Sequence, residues 1–358
     1  MQLRKQVYHW KSIEYTAYKG FLYMVGKMDH DYAALLRCLN EIRSRIPEFT
    51  PRTVFDYGSG VGSVIWGVNS VWKRGVQEYY CVDRSGEMNT LARLLLQDGE
   101  DNKEMQVSGV HFRQFHPSTK HQFDLTVSAF SLFEFPNRSE RLAAVKNLWD
   151  MTGEFMILVE NGSIAGFKLI QEAREYILGL GDSNDGHVFA PCPHDSKCPK
   201  LSWTKSSVCN FEVTYQRLQL SSNTTISDKA RFSYVILRKG RRQSEAATYM
   251  WPRLVKRSSK PRNHTPCTMC CPDGTIKSVV ITASKHSKDL YKCSRYCHLG
   301  DLLPVKMSQQ KEEGHTDRIH DNINNVDQSE GTESGEESDT DRDHSASGLY
   351  PQDSLSPS

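Results

Sequence analysis

The sequence of 358 residues has no uninterrupted apolar run of the roughly eighteen residues that a membrane-spanning helix needs. Its start, MQLRKQVYHWKSIEY, lacks the apolar centre of a secretory signal and the long Arg- and Ser-rich stretch of a transit peptide. No internal repeat is apparent. These absences argue against a membrane-spanning or secreted protein and predict a reducing compartment for the ten cysteines.

Acidic and basic residues are distributed unevenly along the chain. The formal net charge is +2, but residues 308–358 carry 13 acids against 3 Lys or Arg, which leaves about +12 on the rest. A basic body of this kind predicts a polyanionic partner such as RNA. The tail has few apolar residues, so we expect residues 307–358 to be disordered.

The strongest motif lies at residues 53–84, TVFDYGSGVGSVIWGVNSVWKRGVQEYYCVDR. It has the order strand, glycine turn, helix, strand and acid. Glycines allow a sharp turn and a close approach of the backbone to a ligand, at a helix start whose amide groups are free. An acid that ends the second strand can accept hydrogen bonds from ribose hydroxyls. The predicted nucleoside site comprises Asp56, Gly58, Ser59, Gly60, Gly62, Asp83 and Arg84.

The glycine spacing indicates which nucleoside is bound. A dinucleotide fingerprint reads G-x-G-x-x-G, whereas this run reads G-x-G-x-G. Asp56 stands two residues before the first glycine, where its carboxylate could face the ammonium group of an amino acid moiety. The pattern resembles the S-adenosylmethionine motif of the Rossmann-like methyltransferases. A tight turn in another kind of α/β sheet is the alternative.

Apolar segments that predict strands alternate with segments of helical spacing, which indicates a parallel sheet with helices on both faces. Residues 211–218 and 232–238 have no helix between them and resemble the antiparallel pair that closes a methyltransferase sheet. The predicted fold is α/β, a Rossmann-like S-adenosylmethionine methyltransferase sheet with a cysteine-rich insertion and a small β-rich C-terminal appendage. We expect an N-terminal helical segment at 1–50, a methyltransferase-like domain at 51–240 with its insertion at about 181–210, a basic, cysteine-bearing appendage at 241–306 and the acidic tail.

Six of the ten cysteines fall into two groups, at residues 192–209 and 267–271. Thiolates at this density select zinc or an iron–sulfur cluster, although the spacing is not that of a standard zinc finger. Ordinary buried cysteines are the alternative, and His194 is better explained as a loop histidine bonded to backbone than as a ligand. The candidate ligands are Cys192, Cys198 and Cys209, with a fourth from Cys267, Cys270 and Cys271.

Residues 229–262 form a basic segment with eleven Lys or Arg and one acid, Glu245. Basic side chains neutralise phosphates, and aromatic side chains can stack on unpaired bases. The interleaved aromatic residues are Phe232, Tyr234, Tyr249 and Trp251. A solvated charged surface is the alternative, but the basic body favours RNA contact.

The sequence offers no clear catalytic group. Amino-directed methyltransferases carry an acid or Asn before Pro-Pro and an aromatic residue after the fourth strand, where this chain reads SAFSLFEF. Ser128 and Ser131 do not replace such a group. Pro191 and Cys192 imitate the nucleophile of cytosine C5 enzymes but follow the fifth strand, so Cys192 is better explained as a ligand. We favour a binder over an enzyme; the alternative is an active S-adenosylmethionine-dependent rRNA methyltransferase.

Seven segments together resemble a family of mitochondrial small ribosomal subunit assembly factors with a methyltransferase-like fold, over about residues 15–306. They are FDYGSGVGSVIW, YYCVDRS, FDLTVSAFSLFEFP, ILVENGS, VFAPCPHDSKCP, CTMCCPDG and DLYKCSR. The resemblance implies a mitochondrial matrix protein that binds small-subunit rRNA, keeps the S-adenosylmethionine site and is inactive as a methyltransferase. It also implies a [4Fe–4S] cluster on Cys192, Cys198, Cys209 and Cys270, with zinc as the alternative metal and Cys267 or Cys271 as alternatives to Cys270.

Overall fold

The computed structural model of the chain describes residues 13–116, 121–181, 186–203, 208–218, 226–242 and 251–305. The acidic tail, for which the sequence predicts disorder, lies outside these residues. The strands are β1 (Thr53–Tyr57), β2 (Glu78–Val82), β3 (Val110–Arg113), β4 (Phe123–Ala129), β5 (Thr152–Asn161), β6 (Gly186–Ala190), β7 (Phe211–Gln216), β8 (Ser227–Lys239), β9 (Arg253–Leu254), β10 (Thr265–Cys270) and β11 (Ile276–Ile281). The helices are α1 (Ala17–Arg45), α2 (Ser63–Trp72), α3 (Gly86–Leu96), α4 (Arg138–Asp150), α5 (Ile164–Leu178), α6 (Lys200–Trp203) and α7 (Lys288–Tyr296).

Strands β1 to β8 form one sheet in the order β3–β2–β1–β4–β5–β8–β6, and β7 also pairs with β8. Strands β1 to β5 are parallel, whereas β5, β6 and β7 all pair antiparallel with β8. A parallel sheet with β1 in the middle, closed by an antiparallel strand next to β5, is the sheet of the Rossmann-like methyltransferases. The predicted fold class is therefore confirmed.

Strand β6 lies within residues 181–210, where the sequence indicated an insertion and no strand. It has five residues and pairs with residues 236–239 of β8, on the edge opposite β5. Strand β7 pairs with residues 227–232 on that same edge. The cysteine-bearing residues 191–210 therefore connect two strands that share one edge of β8.

Helices cover both faces of the sheet. Helices α1, α2 and α3 pack on one face and α4 and α5 on the other, while β4 and β5 are buried between them, as apolar strands in a parallel sheet should be. Apolar spacing predicted a helix only from Tyr32, but α1 begins at Ala17, where the Thr16 side chain caps it. The sequence did not mark its first half, because the apolar residues from Phe21 to Val25 are consecutive and not at helical spacing. Across the described ranges, no helix has both the length and the apolarity needed to cross a membrane.

The C-terminal appendage contains a second sheet of three strands, in the order β11–β10–β9. Its apolar core includes Leu254, Met269 and Leu303 and packs against α7. The segment DLYKCSRY, expected within a β-rich appendage, forms most of α7. Ser287 caps that helix by accepting a hydrogen bond from Leu290 N at 3.1 Å.

The guanidinium of Arg253, in β9, joins the appendage to the large sheet. Its side chain is fully buried. Nη2 donates to Glu41 Oε1 of α1 at 2.5 Å, Nη1 donates to Gly300 O at 2.6 Å, and Nε donates to Pro191 O in the loop after β6. Although burial raises it, the pKa of Glu41 is lowered to about 2, mainly by Arg253. Helix α1, the cysteine-bearing loop and the appendage therefore meet at one ion pair.

We predict that Arg253→Met destabilises the protein strongly, because it removes a partner from the buried Glu41 carboxylate. Losing one member of a buried ion pair typically costs about 3–5 kcal/mol of unfolding free energy. Arg257→Met is the matched control, because the Arg257 guanidinium is exposed where it pairs with Glu212 and such pairs contribute about 0–1 kcal/mol. Urea unfolding followed by tryptophan fluorescence measures both variants.

The same comparison at lower pH isolates the carboxylate. Because the pKa of Glu41 is lowered to about 2 in the folded chain, its contribution to stability is present above the unfolded pKa of about 4.3. It is lost as the pH falls towards the folded pKa. The difference in unfolding free energy between wild type and Arg253→Met should therefore become smaller as the pH is lowered. Two results would contradict the stabilising role of the Arg253–Glu41 ion pair. One is an equal loss of unfolding free energy in Arg253→Met and Arg257→Met at neutral pH, and the other is a difference between wild type and Arg253→Met that does not change with pH.

Candidate functional site

The glycine turn after β1 has a backbone that only glycine adopts readily. The φ angles of Gly58, Gly60 and Gly62 are 71°, 51° and 83°, all in the left-handed region. Gly62 is also the N-cap of α2. Gly58 N donates to Val82 O at 2.8 Å, which ties the turn to the end of β2. The predicted strand, turn and helix are therefore present in the predicted order.

Asp83, at the end of β2, is bonded to this turn. Its Oδ2 accepts from Gly60 N at 2.9 Å and its Oδ1 accepts from Ser85 N at 2.9 Å. Burial raises the pKa of Asp83, and these two backbone donors oppose the rise. The structure thus brings the glycine turn and the acid together, with the carboxylate held in place by backbone amides.

Asp56 lies inside β1 and not in the turn, and it is 1% exposed. Neither carboxylate oxygen has a hydrogen-bond partner among the residues that the structure describes. Burial, and then the charge of Asp83, raise the pKa of Asp56 well above its usual range. A carboxyl in these surroundings favours the neutral form, which differs from the charged partner for an ammonium group that the sequence suggested.

A surface pocket of about 480 Å³ lies beside Asp83 and Arg84, within the usual size of small-molecule sites, about 300–1,000 Å³. Other residues of its wall are Tyr15 and Gln114, together with Glu134 from the turn after β4. The predicted residues Asp56, Gly58, Ser59, Gly60 and Gly62 are not part of this wall. Of the predicted nucleoside residues, the pocket therefore brings together only Asp83 and Arg84.

Tyr15 and Glu134 were not predicted as site residues. Tyr15 Oη donates to Glu134 Oε1 at 3.2 Å, and Ser85 Oγ donates to Tyr15 O at 2.9 Å, so the segment before α1 closes one side of the pocket. Burial, and then Asp83, raise the pKa of Glu134 to about 7. Glu134 lies in the segment SLFEF after β4, but no local pattern there marks its contact with Tyr15, 119 residues away in the chain.

The serine hydroxyls near the end of β4, where a methyltransferase holds its target atom, are bonded within the chain itself. Ser128 Oγ and Ser131 Oγ are 2.7 Å apart and buried, and Ser131 Oγ donates to Tyr57 O at 3.3 Å. A Cβ added at Gly58 would lie 2.6 Å from Ser131 Cβ. Gly58 therefore makes room for Ser131, and the two serines are bonded to protein atoms.

Glu160, at the end of β5, fixes the same region from the other side. Its Oε1 accepts from Leu132 N at 2.8 Å in a fully buried position. Burial raises the pKa of Glu160 to about 8, against the effect of this and other backbone donors. The segment that follows β4 is therefore held by buried hydrogen bonds.

Four cysteines predicted as ligands surround one small cavity between the insertion and the appendage. The cavity measures about 10 Å³, barely the space of one water molecule. Two buried cations, Lys200 and Arg253, also face it. Lys200 Nζ is held there by Val208 O at 3.0 Å and Val255 O at 3.1 Å. The four thiols belong to Cys192, Cys198, Cys209 and Cys270.

Strand geometry separates the three C-terminal candidates. Side chains alternate along β10, so Cys267 and Cys270 point to opposite faces. Cys267 and Cys271 belong to the apolar core of the appendage, and only Cys270 faces the cavity. His194 Nδ1 contacts Ser196 O at 3.1 Å, as expected of a loop histidine, while its Nε2 lies 3.3 Å from Cys270 Sγ.

Burial raises the pKa of two of these thiols. Burial, then Cys192, raise the pKa of Cys198 to about 11, and burial raises that of Cys209 to about 12 while Lys200 lowers it. Over the part of the chain that the structure describes, no three His, Cys, Asp or Glu side chains converge on a point that would hold a metal ion. The donor set and the nearby cations fit a thiolate-bound cluster, but the cavity must widen to accept one.

Several cations of the basic segment are paired with acids from elsewhere in the chain. Glu212 pairs with Lys229, Arg231 and Arg257, and Arg242 pairs with Asp195. The predicted stacking of bases on Phe232 and Tyr234 is wrong, because both rings lie in the core of the large sheet. Tyr249 lies outside the described residues, and Trp251 is half-buried.

A family model described as "Mitochondrial small ribosomal subunit Rsm22" matches residues 17–304. The chain belongs to the Rsm22 family. The predicted family is therefore confirmed, and the match includes both the glycine turn and the four cysteines. This member is 43% identical over 309 residues to a human protein named "Ribosome assembly protein METTL17, mitochondrial". The alignment covers 85% of the present chain and 66% of the human protein, just under two thirds of its length.

The chain is also similar to more distant proteins. The fission yeast Schizosaccharomyces pombe has an "Rsm22-cox11 tandem protein 2, mitochondrial" that is 25% identical over 224 residues, 52% of this Rsm22-family chain and 30% of the yeast protein. Among solved structures, magnesium protoporphyrin IX methyltransferase from Synechocystis matches with a TM-score of 0.38 at 10% identity, over 67% of this chain and 94% of that one. A putative RNA methyltransferase from Pyrococcus horikoshii matches with a TM-score of 0.36 at 9% identity, over 58% and 85%. The fold assignment of the Rsm22-family chain rests on its own strand order.

Proposed function

We propose that this chain is an RNA-binding assembly factor of the mitochondrial small ribosomal subunit, working in the matrix without transferring a methyl group. The observation that carries the proposal is the family match over residues 17–304. A human relative named as a mitochondrial ribosome assembly protein supports it. The basic charge of the body, about +12 outside the acidic tail, suits a partner rich in phosphate.

The packing after β4 supports a binder over an enzyme. Ser128 and Ser131 are bonded to one another at 2.7 Å, and Ser131 fills the space beside Gly58. A methyl transfer needs a group within hydrogen-bond reach of the target atom, and these hydroxyls are buried against protein. The alternative, an active rRNA methyltransferase, would require this segment to rearrange.

A [4Fe–4S] cluster on Cys192, Cys198, Cys209 and Cys270 is the second part of the proposal. Its support is the cavity that these thiols share across two parts of the chain. Four thiolates around one metal centre need compensating positive charge in a buried place, which Lys200 provides, while Arg253 is already paired with Glu41. The cluster would act as a structural link between the insertion and the appendage, since metal binding contributes directly to folding.

S-adenosylmethionine binding is the third part. Asp83 and Arg84 face a pocket of suitable size, and the left-handed glycines leave the backbone of the adjacent turn without side chains. The remaining proposed contacts are Asp56, Gly58, Ser59, Gly60 and Gly62. Bound without methyl transfer, the ligand would stabilise the folded domain by mass action.

Anaerobically purified protein is predicted to contain about four iron and four sulfide per chain. Cys198→Ser should lose both and unfold at lower denaturant, because the insertion loses its link to the appendage. Cys271→Ser is the matched control, since this thiol is buried in the appendage core and directed at Met269 O. Metal and acid-labile sulfide analysis gives the answer. Zinc without iron would refute the iron–sulfur cluster but would still support a metal that links the insertion to the appendage. Full metal content in Cys198→Ser would refute the ligand set.

Gly60→Val is predicted to weaken S-adenosylmethionine binding at least tenfold, about 1.4 kcal/mol, because a side chain would occupy the turn and strain its backbone. Gly99→Val is the matched control: Gly99 also has a left-handed φ, 81°, but faces open space. Both variants carry similar backbone strain, so only the loss of ligand space separates them. Calorimetric titration with S-adenosylmethionine measures the effect. Equal affinities for S-adenosylmethionine in the two variants would show that the glycine turn is not part of the binding site.

RNA binding is predicted to depend on the exposed end of the basic segment. Neutralising Lys256, Lys260 and Arg262, which are exposed, should lower affinity for small-subunit rRNA and reduce the salt slope by up to about one unit per lost contact. The control neutralises three exposed cations elsewhere, Lys73, Arg74 and Lys168. Filter binding at several salt concentrations compares the two. Equal losses of RNA affinity in the two neutralised variants would mean that net charge alone is responsible for binding.

The role in assembly is tested in cells depleted of the native protein. Matrix-targeted forms of the Gly60 variant and of the variant neutralised at residues 256–262 are scored for assembled small subunits after their folding has been checked. The proposal expects the neutralised form to fail. If small-subunit assembly is restored only by forms that methylate a defined rRNA nucleotide, whatever the charge at residues 256–262, the active methyltransferase is favoured.

A further inference from the structure

Two cysteines outside the proposed cluster lie in contact at the end of α7. Cys293 Sγ and Cys297 Sγ are 3.7 Å apart, and both side chains are partly exposed. They face a surface groove of about 540 Å³ between α1 and the appendage, which also contains Arg37 and Tyr296. A solute can therefore reach the two thiols together.

We propose that Cys293 and Cys297 are a site of reversible oxidation, which a low-molecular-weight disulfide such as glutathione disulfide converts to an intramolecular disulfide. The backbone permits this bond. Cys297 N donates to Cys293 O at 2.9 Å, an i to i+4 helical bond that holds the two Cα atoms about 6 Å apart. Disulfides span Cα separations of about 4.4–6.8 Å, so the sulfurs can close without unwinding the helix.

The position of Cys297 at the helix end makes this closure easier. Its φ and ψ are −61° and 144°, so the chain leaves the helix there and no further helical turn constrains it. A small shift of Cys297 towards Cys293 therefore costs no additional helical hydrogen bond. Two cysteines at this spacing in the middle of a helix would lack that freedom.

The exchange takes place in two steps. One of the two cysteines gives its proton to solvent, and its thiolate attacks one sulfur of glutathione disulfide and releases one glutathione thiolate. The other cysteine then gives its proton to solvent, and its thiolate attacks the sulfur of the first cysteine and releases the second glutathione thiolate. Two protein thiols are oxidised and one disulfide is reduced to two thiols, so electrons and protons balance.

The neighbouring Cys267 is not the partner. Its side chain is 1% exposed, its Sγ belongs to the appendage core, and it lies on the face of β10 away from the proposed cluster. An oxidant that enters through the groove meets Cys293 and Cys297 first. Arg295, between them, donates to Lys260 O at 2.8 Å and Pro261 O at 2.6 Å, so the dithiol borders the basic segment.

The test uses the full chain, purified anaerobically, equilibrated with glutathione buffers of increasing oxidised fraction, quenched in acid and alkylated. Trypsin cleaves after Lys292 and Arg295, so the disulfide links two peptides that are otherwise separate. The linked pair should be absent with dithiothreitol and become the major form of both cysteines as glutathione disulfide rises. The buried Cys38 and Cys81 serve as internal thiols that should stay reduced.

Single variants test the intermediate of the exchange. Cys297→Ser and Cys293→Ser should each trap one glutathione on the remaining cysteine, which has no partner to complete the intramolecular disulfide. The absence of the linked peptides at every buffer ratio would overturn the proposal. A link from Cys267 to either residue would overturn the pairing.

Discussion

The buried guanidinium of Arg253 is the contact on which the arrangement of the other parts depends. A guanidinium has five donor hydrogens in a fixed plane and cannot be neutralised, so burying it requires acceptors placed around it. Helix α1 supplies Glu41, the loop after β6 supplies Pro191 O, and the appendage supplies Gly300 O. Moving α1 away would leave an unpaired charge in the protein interior, which is expensive, and moving the loop or the appendage away would leave a buried N–H group without its acceptor.

The same side chain also faces the cavity of the four cysteines, which couples the two features. The charge of Arg253 is balanced by Glu41, whereas Lys200 donates to the backbone carbonyls of Val208 and Val255, so thiolates in the cavity would place negative charge beside Lys200. Thiol ionisation and metal binding would therefore favour one another. The pocket proposed for S-adenosylmethionine lies elsewhere, at the ends of β2 and β4, and contains neither Arg253 nor any of the four cysteines.

The sequence predicted the features that depend on short-range pattern. The glycine turn and the parallel sheet follow from spacing. The cluster ligand set Cys192, Cys198, Cys209 and Cys270 came only from the family resemblance and stays a prediction, although these four side chains do line one cavity. Strand β6 was missed because five residues beside a proline-rich loop carry no clear alternation. The ion pairs of the basic segment were missed for a different reason: Glu212 and Asp195 come from distant positions, and a local count of charges cannot include them.

The shared edge of β8 has a consequence for how the family can change. Strands β6 and β7 both pair with the same edge of β8. The segment that connects them therefore begins and ends at that edge. Lengthening such a connection does not alter any strand pairing, and each doubling of a loop adds only about 0.6 kcal/mol of closure cost. The spacing between Cys198 and Cys209 can therefore drift from one relative to another while the sheet, and the place where the thiols meet, stay the same.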